Sequence, residues 1–124
     1  MRKTGTKVRG GKVSKSTRGT IVKKPHGVKI GTLNYEVEYC SPLTDGDSSQ
    51  LLYGHHMHSA IKIKIASDYP EERQRETFVH ECLHAVDSRY CNDKLTEDQI
   101  ACLSNGLFDW IRANPEAIDW VKGK

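Results

Sequence analysis

The sequence predicts an α+β domain in which a small sheet is built first and two helices follow. Three observations carry this. Strict apolar/polar alternation runs through LNYEVEY and again through AIKIKIA. Two helix-length patterns follow, one from Pro70 to about Tyr90 and one from Thr96 to Asn114. The strands precede the helices, the element order of an α+β domain. The expected architecture is a three-stranded, mainly antiparallel sheet packed on the first helix, with a second helix on its C-terminal side.

The chain has 124 residues, enough for one small domain. Hydrophobic content is 36% and mean hydropathy is −0.64, so the core is small. Net charge is +3, but it is unevenly placed. Residues 1–30 hold ten Lys or Arg and no acid, while residues 31–124 hold nine Lys or Arg against sixteen Asp or Glu, a net of −7. The chain reads as a basic, non-packing arm over residues 1–25 joined to an acidic body over 26–124. Residues 2–24 could neutralise nucleic-acid phosphates. No aromatic residue is interleaved there for base stacking, so a solvated tail is the simpler reading.

No apolar run approaches the ~18 residues of a membrane span. The basic N-terminus is followed by no apolar stretch, so a secretory signal is not expected. Cys40, Cys82, Cys91 and Cys102 show no CxxC spacing and are expected as reduced thiols in a cytoplasmic protein. A disulfide-bonded secreted domain is the alternative.

In the first strand Leu33, Tyr35, Val37 and Tyr39 share one face and Glu36 and Glu38 the other. SPLTDGDSSQ is turn chemistry. LLYGHHMHS reads as a second strand broken near Gly54. In AIKIKIA, Ile61, Ile63 and Ile65 alternate with Lys62 and Lys64, and exposed lysines suit a sheet edge at residues 60–66. Pro70, Glu71 and Glu72 open the first helix. CNDK is a short turn. Thr96 with Gln99 matches a capping box, and Ile100, Leu103, Leu107, Trp110 and Ile111 form the expected apolar stripe of the second helix. Asn114-Pro115 closes it, and EAIDWVKG suggests a last helical turn.

The chemistry-bearing stretch is ETFVHECLHAVDSRY. On a helix, His80 and His84 lie one turn apart on one face, so both imidazoles can meet one ion. Glu81 is about 100° further around. It cannot comfortably join the same coordination sphere, but it can reach a water at the ion's open position. Two ligands and a general base is the division of labour of the His-Glu-x-x-His pattern in zinc peptidases. The third ligand is expected downstream. On the wheel Glu97 lies roughly 95° from the centre of the second helix's apolar stripe and Asp98 roughly 165°, which favours Glu97. For both acids the alternative is compensation of the helix dipole. Asp87 lies three residues after His84 and could accept from a ligand imidazole's second nitrogen, or be an ordinary surface carboxylate. His55, His56 and His58 read as a polar strand or loop near the site. One of them could contact substrate or stabilise an oxyanion, as could Tyr53 or Tyr69. Cys82 is expected to face the core, met by Cys102 and Leu103.

TFVHECLHAVDSRYCNDKLTEDQIACLSNGLFDWIRANP resembles the small phage- and prophage-encoded zincin-like metallopeptidases. LNYEVEY, LLYGHHMHS and AIKIKIA fit the strands that precede the motif helix in that family. The resemblance spans about residues 28–115, and more distantly the chain is similar to ImmA/IrrE-type and SprT-like peptidases. It implies a zincin-like fold, one zinc ion on His80 and His84, and Glu81 as general base. Glu97 stands where relatives carry Glu or His. Cys82 replaces the usual Leu, and the basic arm has no counterpart. The implied function is a cytoplasmic zinc metallopeptidase of a bacterial host cell, with a protein or peptide substrate paired along the 60–66 strand. The rival is a zinc-stapled binding module that uses its basic arm.

Overall fold

Residues 22–123 are described by a computed structural model. Four strands and three helices follow one another: β1 (Gly27–Ile30), β2 (Leu33–Cys40), β3 (Gly54–Met57), β4 (Lys62–Ala66), α1 (Glu71–Tyr90), α2 (Glu97–Ala113) and α3 (Pro115–Val121). The arm up to residue 21 lies outside the described residues, and with it nearly all of the nucleic-acid expectation for residues 2–24.

The sheet is four-stranded and mixed, in the order β1-β2-β4-β3. This corrects the expected count of three strands, while the pairing is mainly antiparallel as expected, with β2 and β4 the parallel pair. The additional strand is β1, where Val28 and Ile30 point inward and Lys29 outward. Four residues are too few for the alternation to stand out beside a lysine-rich arm. The hairpin to β2 turns through Gly31 at φ 64° and Thr32. The positive φ suits the twist of a two-residue hairpin, and a Cβ at Gly31 would stand 3.1 Å from the Arg89 side chain.

β4 pairs parallel with β2, Val37 opposite Ile63 and Tyr39 opposite Ile65, and antiparallel with β3. It is therefore an interior strand, not the edge expected at residues 60–66. Its lysines mark the solvated face of the sheet, where Lys62 reaches Glu38 at 3.3 Å and Glu36 at 3.8 Å. The edge next to the helices is β3. The opposite sheet face carries the core of Ile30, Tyr35, Val37, Ile63 and Ile65, which closes on α1 through Ala85, with Phe78, Cys82 and Val86 packed against it.

α1 begins after Pro70, with Glu71 and Glu72 in its first turn. Its C-terminal end is tied into the next element by Asp87. The Asp87 carbonyl accepts the Cys91 and Asp93 N–H groups, and its buried carboxylate accepts Leu95 N–H at 3.3 Å. α2 then starts at Thr96 with both reciprocal bonds of the capping box in place. Its packed face is Ile100, Ser104 and Phe108. The expected stripe is corrected here: Leu103, Leu107, Trp110 and Ile111 are 37–49% exposed. Relative to that stripe the buried face is rotated by about 70° toward Glu97. Cys102 is exposed as well, so Cys82 meets the sheet rather than Cys102 and Leu103. No described helix is long and apolar enough to cross a membrane.

Candidate metal centre

The α1–α2 hairpin brings three donor groups together. His80 and His84 project from one face of α1, their ring centroids 5.0 Å apart. Glu97, in the first turn of α2, inserts its carboxylate between them. Oε2 lies 3.0 Å from His80 Nε2 and Oε1 3.0 Å from His84 Nε2. One donor atom from each residue fits within a 4.8 Å cluster. A tetrahedral ion with bonds of ~2.0–2.1 Å has donor–donor edges of ~3.3 Å, so the set needs only small side-chain shifts to close on zinc. Two imidazoles and one carboxylate leave a fourth position open, the arrangement of catalytic rather than structural sites. Of the two acids weighed for the third position, Glu97 stands in the cluster and Asp98 is exposed to solvent.

Glu81 leaves this face and points toward the sheet edge. It is only 6% exposed. Burial, and then the charge of Glu97, push its carboxyl up to about 8, partly offset by a hydrogen bond from the His56 backbone N–H. Gly54 makes this approach possible. A Cβ there would stand 2.5 Å from Thr77 Cγ2, 2.9 Å from Glu81 Cγ and 3.0 Å from Glu81 Oε2. The glycine is needed for close packing of β3 on α1, not for its backbone angles. The break expected at Gly54 is in fact the first residue of the edge strand.

Of the three histidines on or just after β3, His56 faces the site. Its ring is parallel to that of His84 at 6.4 Å, and its Nε2 is 3.4 Å from the buried Tyr35 hydroxyl. Burial lowers the pKa of both His56 and His84. His55 is exposed, and His58 lies 6.1 Å from His56. Asp87 acts on His84 by its negative charge, while its carboxylate holds the Leu95 N–H. From α1 it holds the N–H groups of the interhelical turn. Cys82, on the core side, stands outside the donor group, and burial and then Glu81 push its thiol up to about 12.

Beside the centre lies an open cleft of about 240 Å³, lined by Tyr53, Gly54, Arg73, His80, Glu81 and Asn105 among others. The Arg73 guanidinium sits 4.7 Å over the Tyr53 ring, and Tyr53 packs edge-on against Tyr69 at 4.8 Å. Tyr53 therefore walls the cleft and braces a cation, and Tyr69 supports its ring. The sequence reading missed Gly54, Arg73 and Ser104. Arg73 was signalled by its spacing, since it lies seven residues before His80 on the same helical face.

Comparison of the chain with family models, with curated proteins and with solved structures returned no match to any of them.

Proposed function

We propose that the protein is a zincin-like, zinc-dependent peptidase, with His80, His84 and Glu97 as ligands and Glu81 as general base. The observation that carries this is the convergence of two imidazoles and a carboxylate from adjacent helices, beside a second, buried carboxylate that does not share their cluster. Zinc held there would polarise the scissile carbonyl and acidify the attacking water. Glu81 takes that water's proton and hands it to the leaving amine. The His56 backbone N–H holds the carboxylate in place. The outer edge of β3, next to the cleft, replaces residues 60–66 as the place where an extended substrate pairs. The free thiols suit a reducing cytoplasm, and a bacterial host is the setting implied by the resemblance to phage-encoded peptidases.

The test is zinc content together with peptide cleavage. Wild-type protein is expected to hold one zinc per chain and to cut an unstructured protein substrate. Glu81→Gln is expected to keep the zinc and lose cleavage by at least about a hundredfold, the usual scale of general-base catalysis. Protein without stoichiometric zinc, or cleavage that survives Glu81→Gln, sinks the reading. Zinc without cleavage in either form favours the binding module.

A further inference from the structure

We propose that Ser104 is a positioning residue that selects the metal-binding tautomer of His80. The inference rests on the zinc reading above. Ser104 is 3% exposed, and its hydroxyl has two neighbours, the Ala101 carbonyl at 3.1 Å and His80 Nδ1 at 3.3 Å. A serine hydroxyl carries one proton and two lone pairs. Directed at the Ala101 carbonyl, as the shorter contact and the helical i−3 geometry favour, that proton leaves the oxygen as an acceptor toward His80. His80 Nδ1 must then carry its hydrogen, and Nε2 offers its lone pair to the ion. Nε2 is the atom that faces Glu97 at 3.0 Å.

The same helix delivers both groups. Ser104 follows Glu97 by seven residues, within about 20° on the wheel. The residue that supplies a ligand and the residue that orients another are therefore fixed by one docking of α2 on α1. Donation from a ligand imidazole's second nitrogen raises its basicity and fixes its ring, and its loss typically costs 10–100-fold in metal affinity. Aligned acceptors are usually carboxylates or carbonyls, and here a hydroxyl fills the place.

The experiment is zinc affinity by competition with a chromophoric chelator, for wild type, Ser104→Ala and Ser104→Thr. Expected are a 10–100-fold loss for Ser104→Ala and recovery to within a few-fold for Ser104→Thr, which restores the hydroxyl. Long-range 1H–15N spectra of the zinc-loaded wild type should show a His80 Nδ1 proton protected from exchange, and this protection should vanish in Ser104→Ala. Unchanged affinity in Ser104→Ala, or equal losses in both variants, overturns the proposal. Should Ser104→Ala not fold, the wild-type spectrum decides alone: a His80 Nδ1 proton exchanging as fast as in a solvent-facing imidazole overturns it. Wild type that takes up no zinc removes this proposal together with the metal reading, whereas zinc uptake insensitive to Ser104 removes this one only.

Discussion

A carboxyl group that is 6% exposed, faces a second carboxylate and accepts one backbone N–H does not ionise like a surface glutamate. Its usual value of 4.5 is raised to about 8 in the ion-free protein. The folded state thus holds the proton more tightly than the unfolded chain. The stabilisation is complete below pH 4.5 and is lost as pH climbs through 8. His56 and His84 are depressed and work in the opposite sense, losing stability as pH falls through 6.5 and below. The difference in Tm between wild type and Glu81→Gln isolates the glutamate. For ion-free protein, Glu81→Gln should gain on wild type steadily from pH 5 to pH 8.5. A pH-independent difference would contradict the burial argument. Gly54 is the second residue-scale test. Ala is ordinarily tolerated in place of a strand glycine, but here the added carbon meets Thr77 and Glu81. Gly54→Ala should destabilise by about 1–3 kcal/mol in a denaturant titration and lower cleavage while zinc content stays near one per chain.

At the scale of elements, α2 decides more than its composition suggests. Its most apolar stripe is largely turned to solvent, and the face that packs on α1 mixes Ile100 with Ser104 and Phe108. Polar substitutions at Leu103 or Leu107 should therefore move stability by no more than about 0.5 kcal/mol, whereas Ile100→Ala should cost about 2–5 kcal/mol and Phe108→Ala about 3–5. Urea denaturation of the four variants distinguishes the two faces. Glu97 was legible and Ser104 was not. The wheel placed Glu97 near the flank of the apolar stripe, and the real packed face lies closer still. Ser104 lies within about 20° of Glu97 on the same wheel, but a helical serine carries no ligand or general-base signal of its own. The strands divided in a similar way. Tyr35, Val37, Ile63 and Ile65 are buried as their alternation required. Pairing partners leave no such mark, so β4 was placed at the edge by its lysines, which in fact decorate the solvent face, where Lys62 meets Glu36 and Glu38.

For the whole molecule, the donor set ties α1 to α2 but does not touch the sheet core. Chelation should lower Tm and should loosen α2 and the 91–96 turn before the strands. Hydrogen exchange reads this directly: on addition of chelator, amides of α2 should lose protection while those of β2 and β4 keep theirs. Equal loss everywhere would mean that the helices and sheet unfold as one unit. The motif could be read from a short window because a helix brings residues four apart together. The cleft was not legible, because it forms only where β3 crosses α1, and that crossing depends on a glycine 27 positions before Glu81 in the chain.

The order of the elements along the chain also fixes the order in which the centre is completed during synthesis. The strands are made first, then both imidazoles with the general base, and the Glu97 carboxylate follows, with Ser104 after it. A nascent chain that has not yet reached Glu97 has two of the three donors and no docked second helix. Under the proposed chemistry it is a pro-form without a pro-segment: the hydrolytic activity switches on only when α2 has been made and has docked on α1.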